Sequence, residues 1–275
     1  MAKFRRVLIV NPASGRGRAQ RLDLVGHCRA RGIETLIRQT GDDISELARR
    51  AVAEGAEMLG MAGGDGSQAA VAAVAAEFDV PYICVPAGTR NHFALDLGID
   101  RKDVLGALEA FLDGTERRID LAKVNNRVFV NNASMGLYGR LVQSREYRDA
   151  KFRTVIEKLP DLMGPVARPY DLRFTGPDGT EYPDAALLLV SNNPYGFDPR
   201  PGCGTRGAID GGTLGVVCLT NGPPLREVRE WATPAFRVDS DKPVEIGIDG
   251  EAAVMVPPLV FASLPSVLRI RVPRR

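Results

Sequence analysis

The sequence predicts a two-domain α/β fold, in which a parallel sheet covered by helices is followed by an antiparallel β-sandwich. Up to about Asp120, short apolar runs alternate with segments of helical period, the order that places parallel strands between two layers of helices. Beyond Asp120, short strand-like runs follow one another with turn residues between them, as in antiparallel sheets. This change of pattern predicts an α/β domain over residues 1–119 and a sandwich domain over 120–275.

Four apolar runs supply the predicted strands of the first domain, and each precedes a segment with a helical pattern. The strands are expected at 6–10, 33–38, 57–60 and 81–85, and the helices at 18–31, 42–54, 68–76 and 104–112. In the second helix the apolar residues fall on one stripe, which indicates a face packed on the sheet. Asp103 is the predicted cap of the last helix, and Gly114 its stop.

The second domain is predicted from shorter strands and one hairpin signal. Asn125-Asn126 separates the runs 119–124 and 127–130, as the turn of a β-hairpin does. Further strands are expected near 170–174, 186–191, 213–219, 244–248 and 267–272, and helices at 137–159 and 225–231. We therefore expect a sandwich interrupted by two helices.

Three loops follow strands of the predicted parallel sheet, at 11–15, 63–67 and 86–91. Because the carboxyl ends of parallel strands meet at one edge of the sheet, these loops are expected to converge on a single crevice. The middle loop reads Gly-Gly-Asp-Gly-Ser and precedes an alanine-rich helix. Glycines let a ligand approach the backbone, and a helix start offers unpaired N–H groups to an anion. The pattern predicts a phosphate-binding site.

Asp65 is the charged residue of the middle loop. A carboxylate alone would repel a phosphate, so its presence indicates either a bridging Mg²⁺ or a proton acceptor for an attacking hydroxyl. The alternative is a tight turn in which Asp65 only caps the following helix. The loop by itself leaves both interpretations open.

Composition excludes several classes of protein. The 275 residues are 44% apolar, and 36 basic against 34 acidic residues give a net charge of +2, which offers no case for a general nucleic-acid binder. No apolar run approaches the roughly 20 residues of a membrane-spanning helix, and no signal peptide is recognisable, so a soluble, cytoplasmic protein is expected. Widely spaced cysteines predict reduced thiols at Cys28, Cys84, Cys203 and Cys218.

Two common nucleotide-binding motifs are absent from the sequence. A Walker-type loop would need Gly, four residues and then Gly-Lys followed by Ser or Thr, and no such run occurs. A dinucleotide fingerprint beginning at Gly15 and Gly17 would need a third glycine where the chain has Gln20. A dinucleotide-dependent oxidoreductase is therefore the least favoured function.

The motifs together resemble the diacylglycerol kinase catalytic family, which includes bacterial lipid kinases and sphingosine kinases and shares its glycine–aspartate loop with NAD kinases. The resemblance covers nearly the whole chain. It rests on Asn11-Pro12 with Ser14-Gly15, Gly63 to Ser67, Gly88-Thr89 with Asn91 and Phe93, Asp210-Gly211 before Leu214, and Asp249-Gly250-Glu251. It implies a three-layer, Rossmann-like nucleotide domain, a β-sandwich acceptor domain, and transfer of the γ-phosphate of ATP to a lipid hydroxyl with Mg²⁺.

Carried over position by position, the resemblance implies the residues of a nucleotide site. They are Asn11, Ser14, Thr40, Gly63, Gly64, Asp65, Gly66, Ser67, Gln68, Ala69, Gly88, Thr89 and Asn91. It also implies metal ligands, with Asp65 and Asp120 in one charge network and Asp210 at a structural Mg²⁺ completed by carbonyls of Gly207 and Gly212. For Asp120, an ordinary salt bridge at a strand edge is an equal alternative.

Glu251 matches the general base of the family, which joins Asp65 as a catalytic residue. Residues 244–248 alternate as a strand, and Asp249-Gly250 is a tight-turn pair that would hold Glu251 at its tip. A carboxylate placed there could accept the proton of an acceptor hydroxyl. The alternative is a plain hairpin turn with an exposed glutamate.

The chain departs from the family pattern at several positions. Many members have an aspartate after the asparagine of the third loop, where this chain has His92, and Asp96 is one helical turn farther on. Ser67 replaces the more frequent threonine and keeps the hydroxyl. Residues 199–204 are unlike those of the commoner members, which places the structural metal in question.

The lipid acceptor and its setting are the least specified. Basic and apolar residues mix in 137–159, a composition suited to the surface of an anionic bilayer, although a solvated helix face with a buried stripe is the simpler reading. The expected partner is a lipid at the inner face of the membrane, contacted peripherally, with a homodimer left open. A kinase of NAD or another soluble metabolite, and a nucleotide-binding module without catalysis, remain as alternatives.

Overall fold

The computed structural model describes residues 5–136, 171–183, 185–195, 206–220 and 228–274. The chain forms two compact units, the first of Met1–Leu121 with Pro265–Arg275 and the second of Ala122–Leu264. The sequence analysis assigned residues 265–275 to the second domain, but their contacts place them in the first unit. The reason is a strand pairing, in which Ile270 lies parallel to Tyr82.

The first unit alternates strands and helices, as its apolar runs predict. Its elements are β1 (Arg6–Val10), α1 (Arg18–Arg21), α2 (Leu24–Ala30), β2 (Glu34–Ile37), α3 (Ile44–Ala53), β3 (Met58–Gly63), α4 (Asp65–Glu77), β4 (Tyr82–Pro86), α5 (His92–Asp96) and the start of β5 (Gly114–Val124), with 3₁₀ turns at Ser14–Arg16 and Gly106–Phe111. The strand order is β2-β1-β3-β4, continued by the last part of the chain and then by β5. β1, β2, β3 and β4 pair in parallel, which confirms the predicted sheet.

Two predicted helices of the first unit differ from the structure. The helix expected at 18–31 is broken into α1 and α2, because Asp23 is left-handed with φ 45° and its carboxylate accepts the N–H of Gly26 to start α2 afresh. The helix expected at 104–112 is a 3₁₀ turn, although Asp103 does cap it by accepting the N–H of Gly106 at 2.8 Å. Gly114 then begins β5.

The second unit is built from strands. They are the end of β5, β6 (Arg127–Phe129), β7 (Asn132–Gly136), β8 (Phe174–Thr175), β9 (Glu181–Tyr182), β10 (Ala185–Asn192), β11 (Leu214–Thr220), β12 (Val228–Thr233), β13 (Ala235–Val238), β14 (Val244–Ile248), β15 (Glu251–Met255) and the start of β16 (Leu259–Pro273). One sheet has the order β12-β11-β10-β7-β14-β15, and all its pairs are antiparallel.

The core of the second unit lies between this sheet and the strands opposite. Phe129, Phe236 and Phe261 on one side share a cluster with Leu188 and Ile246 on the other, and all five are buried. A buried apolar layer between two antiparallel faces is the arrangement of a β-sandwich, so the predicted fold class is confirmed.

The helix predicted at 225–231 is wrong where the structure describes it. Val228–Thr233 is β12, an antiparallel partner of β11. Trp231 decides the outcome, because its ring stacks with Tyr182 at a centroid distance of 6.2 Å and lies beside Phe174. Aromatic packing on a sheet outweighs a weak helical pattern. The other predicted helix of this domain, 137–159, lies outside the described residues.

The described cysteines are buried, as the sequence predicts. Cys28 and Cys84 are buried free thiols, Cys218 is also buried, and burial raises the pKa of Cys28 to about 11. A thiol with such a pKa stays protonated and unreactive near neutral pH. In the part of the chain that the structure describes, no helix combines the length and apolarity needed to cross a bilayer.

Candidate functional site

The three loops that follow β1, β3 and β4 meet, as expected for one edge of a parallel sheet. The Asn11 amide donates from Nδ2 to Ser67 Oγ at 3.3 Å, which joins the first loop to the middle one. The first loop also touches the third, because a Cβ on Gly15 would lie 2.2 Å from the carbonyl oxygen of Ala87. These contacts bring the predicted loop residues together in one cradle.

The middle and third loops touch backbone to backbone at Gly64 and Gly88. A Cβ added to Gly88 would lie 2.4 Å from the Cα of Gly64 and 2.9 Å from its nitrogen. No side chain can be placed there without moving one of the loops. The glycines therefore do more than permit a turn, since they let two strand ends approach closely enough to share one ligand.

The start of α4 is open to an anion. Gly64 is its N-cap, in an extended conformation, and no side chain in the described part of the chain caps it by a hydrogen bond. The helix continues for 13 residues, long enough to add its dipole to the unpaired N–H groups of its first turn. Helix ends of this kind bind phosphate groups.

Asp65 links the middle loop to the third. Its Oδ2 accepts the backbone N–H of His92 at 3.1 Å, and its Oδ1 accepts that of Phe93 at 3.2 Å. Asp65 thus caps α5. The alternative raised from the sequence, in which Asp65 caps its own helix α4, is not what the structure shows. Each carboxylate oxygen keeps a further lone pair for a ligand or a metal.

Gln68 supports the cradle by bonding the backbone at the ends of β3 and β4. Its side chain is buried, and Nε2 donates to the carbonyl oxygens of Met61 at 3.0 Å, Gly63 at 3.2 Å and Val85 at 3.0 Å. Its Oε1 accepts a short hydrogen bond from the hydroxyl of Tyr82. The amide therefore ties the ends of β3 and β4 to each other, and its side chain is fully engaged with the protein.

Replacing Gln68 with leucine is expected to lower the free energy of unfolding by about 3 kcal/mol, because buried carbonyl groups would lose their donor. The shift in the urea denaturation midpoint at unchanged slope measures it. Gln20→Leu, at an exposed position of α1, is the matched control. Equal midpoints for the two variants would contradict the supporting role of Gln68.

Asn91 holds the third loop and leaves one acceptor open. Its backbone is left-handed with φ 52°, and Nδ2 donates to the carbonyl oxygens of Pro86 and Gly88 at 3.1 and 3.0 Å. Its Oδ1 is buried and has no hydrogen-bond partner among the described residues. An unsatisfied buried acceptor is costly, so this atom is suited to receive a donor from a ligand or from bound water.

The other predicted residues of the first unit have mixed surroundings. Thr40 and Thr89 are exposed, Ser14 and Gly66 are half-buried, and Ala69 is buried in the first turns of α4. Sequence reasoning missed Arg18, which donates to the carbonyl oxygens of Pro86, Arg101 and Lys102 and so braces the first loop against the third. Arginine bonds to distant carbonyls leave no local sequence signal.

Asp120 is completely buried in the first unit. Its Oδ1 accepts the N–H of Ser266 at 2.8 Å, and Ser266 is left-handed with φ 53°. This bond holds a bend in β16, a structural task that the sequence did not indicate. Among the described residues, no three His, Cys, Asp or Glu side chains form a group that could hold a metal ion. The ligand roles of Asp65 and Asp120 remain predictions.

In the second unit, Glu251 follows a tightly fixed turn. Asp249 and Gly250 are both left-handed, with φ 49° and 84°, and Glu251 begins β15 opposite Ile248. Its side chain is 59% exposed and forms an ion pair with Arg127 at 3.1 Å. Asp210, in the same unit, is exposed on the loop before β11. The structural metal proposed for Asp210 stays a prediction.

Comparisons with known proteins identify the first part of the chain. Residues 5–124 match the family model of the diacylglycerol kinase catalytic domain. Diacylglycerol kinases of two Staphylococcus aureus strains, RF122 / ET3-1 and MRSA252, are each 31% identical over 211 residues, which is 70% of this chain and 64% of theirs. The match thus spans less than two thirds of those relatives.

The fold is also found among solved structures. A crystal structure of a diacylglycerol kinase from Bacillus anthracis str. Sterne aligns over 98% of this chain and 97% of that chain with a TM-score of 0.72. At 19% identity this likeness speaks for the fold alone. Residues 5–124, which carry the three converging loops, are thus similar to the diacylglycerol kinase catalytic domain family.

Proposed function

We propose that this protein is a lipid kinase, which transfers the γ-phosphate of ATP to a hydroxyl of diacylglycerol or a related lipid. The observation that carries the proposal is the uncapped start of α4 at Gly64, in backbone contact with the loop of Gly88. Such a cradle suits a chain of phosphates. The diacylglycerol kinases that the chain matches support the choice of a lipid acceptor.

The residues present fit a Mg²⁺ ion that enters with the nucleotide. Mg²⁺ is commonly held by one or two carboxylates together with substrate phosphates, so a separate cluster of acidic residues is not required. We assign Asp65 as the carboxylate that would hold it, since its oxygens are fixed by His92 and Phe93 and keep free lone pairs. The bound ion would neutralise charge on the transferring phosphoryl group.

We assign the acceptor side to Glu251 of the second unit. In the proposed reaction the lipid hydroxyl oxygen attacks the γ-phosphorus, the bond to the β–γ bridging oxygen breaks, and ADP leaves. The hydroxyl proton passes to the carboxylate of Glu251. A lipid acceptor requires contact with a bilayer, so peripheral attachment at the inner face of the membrane is part of the proposal.

The test is to incubate the protein with labelled ATP and Mg²⁺ against a panel of diacylglycerols, sphingoid bases and NAD. Label that enters a lipid, and that is lost in both Glu251→Gln and Asp65→Asn, is the expected result. Label entering NAD would favour a soluble-metabolite kinase. Tight ATP binding without turnover on any acceptor would favour a nucleotide-binding module and overturn the proposal.

A further inference from the structure

We infer that Arg127 is a positioning residue for the base, which holds the carboxylate of Glu251 in one orientation toward the acceptor hydroxyl. The inference rests on the proposed function, in which Glu251 is the proton acceptor. Its basis is a single contact on an unusually rigid frame: Arg127 Nη2 donates to Glu251 Oε2 at 3.1 Å, and both residues are carried by elements fixed to each other.

An exposed ion pair ordinarily contributes little to the stability of a protein. Arg127 is 41% and Glu251 59% exposed in their side chains, and surface pairs of this kind contribute at most about 1 kcal/mol. Two long side chains usually lose as much conformational entropy as the contact returns. The pair therefore matters for orientation and not for stability, and only if its two backbones are held in place.

Asp249 holds those backbones. Its carboxylate accepts the N–H groups of Val130 at 2.9 Å, Asn131 at 2.8 Å and Asn132 at 3.2 Å. Its own N–H donates to the carbonyl oxygen of Asn132 at 2.9 Å. The bend 130–132 directly follows β6, which carries Arg127, and Asp249 lies two residues before Glu251. One carboxylate therefore fixes both partners of the ion pair.

Arg206 fixes the same bend from inside the unit. It is 5% exposed, and its Nη1 donates to the carbonyl oxygens of Val130 at 2.6 Å and Asn192 at 2.7 Å. Its Nη2 donates to Asn131 Oδ1 at 3.2 Å. A buried guanidinium with several hydrogen bonds is expensive to move, so the bend has one stable position. The frame around Arg127 and Glu251 is thus more rigid than a typical surface turn.

The orientation of the hydrogen bond suits proton transfer. Arg127 engages Oε2, which leaves Oε1 of Glu251 to accept the proton of the hydroxyl. A glutamate without such a partner would sample several rotamers, and few of them would point one oxygen at a given hydroxyl. Loss of orientation at a general base reduces turnover without changing how ATP binds.

A double-mutant cycle tests the inference in the full-length protein. Arg127→Gln, Glu251→Gln and the double variant are compared for kcat and for the KM of ATP on the lipid acceptor found in the panel. Arg127→Gln is expected to lower kcat about tenfold, in line with the cost of misplacing a reacting group, and to leave the KM of ATP unchanged. In the Glu251→Gln background the same change is expected to have no further effect. Arg127→Lys should recover part of the loss.

The control is Arg173→Gln, which removes an arginine of matching exposure, 42%, from an ion pair with Asp241 in the same unit. It should leave kcat within about twofold, as surface pairs do. Three results would each overturn the inference. They are a kcat of the double variant that falls by the product of the two single effects, a raised KM for ATP in Arg127→Gln, and wild-type turnover of Arg127→Gln. If Glu251→Gln itself keeps wild-type turnover, the base assignment fails, and this outcome is distinct from a failure of Arg127 alone.

Discussion

Replacing Gly88 with alanine is expected to destabilise the first unit and to weaken the binding of ATP about a hundredfold. The new Cβ would lie 2.4 Å from the Cα of Gly64, 2.9 Å from its nitrogen and 2.7 Å from Asn91 Oδ1. Two of these atoms are backbone, so the loops must separate. Overpacking of this kind lowers the free energy of unfolding by about 1–3 kcal/mol. Displacing a binding loop by an ångström can cost about a hundredfold in function, which here is the affinity for ATP.

The matched control is Gly64→Ala, at the other glycine of the same contact. Its Cβ would have only the Cα of Gly88 near it, at 3.8 Å, and the backbone at Gly64 is extended, which any residue adopts. This variant should melt like the wild type but bind ATP more weakly, because its methyl group would cover the N–H groups at the start of α4.

Thermal unfolding and calorimetric titration with ATP and Mg²⁺ separate the two effects. Gly88→Ala is expected to lose both stability and affinity, and Gly64→Ala affinity alone. A Gly64→Ala variant that binds ATP as tightly as the wild type would argue that no phosphate lies at the start of α4. The proposed kinase would then lose the observation on which it depends.

The sequence predicts the parallel sheet and its loops well because the signals are local. β1 and β14 match their expected ranges, since apolar runs and strict alternation mark strands directly. The convergence of the three loops also follows from the sequence, because strand polarity in a parallel sheet dictates which ends meet. The sequence predicts that the glycines let a ligand approach the backbone. It does not predict the contact between Gly64 and Gly88, because these residues follow two different strands.

The errors arise where distant contacts override local pattern. β12 has a weak helical period, and Trp231 is recruited into a sheet by rings from β8 and β9 that are far away in sequence. The break at Asp23 shows the opposite case, in which one left-handed residue restarts a helix that the apolar pattern would have continued. The contacts of Trp231 cannot be read from a window of neighbouring residues, whereas the cap at Asp23 is local but interrupts a continuous apolar pattern.

The frame of the second unit illustrates the same limit at the candidate site. Asp249 reads as the first residue of an Asp-Gly turn, yet its carboxylate bonds the N–H of Asn131, 118 residues away in sequence. Arg206 belongs to no motif of the sequence, yet it is buried. Glu251 could be proposed from the motif, whereas its partner Arg127 could be found only from the folded chain.

Glu251→Gln is expected to lower kcat for the lipid acceptor by about 10²- to 10⁴-fold, the usual contribution of a general base. The amide keeps the size of the side chain and can still accept the hydrogen bond from Arg127, but it cannot take the proton of the hydroxyl. The affinity for ATP should not change, because in the proposed roles Glu251 contacts the acceptor hydroxyl and not the nucleotide.

Asp65→Asn should give the contrasting result, which makes the pair of variants decisive. Asp65 uses both oxygens to accept backbone N–H groups, and an asparagine has only one acceptor oxygen, so the N–H of either His92 or Phe93 would face an NH₂ group. A donor left without its acceptor costs about 1–3 kcal/mol, so Asp65→Asn should lower the melting temperature as well as the affinity for ATP with Mg²⁺. Calorimetry and single-turnover kinetics distinguish the outcomes, since a general base alters the chemical step alone. Equal losses of ATP affinity in both variants would contradict the separate roles of the two carboxylates.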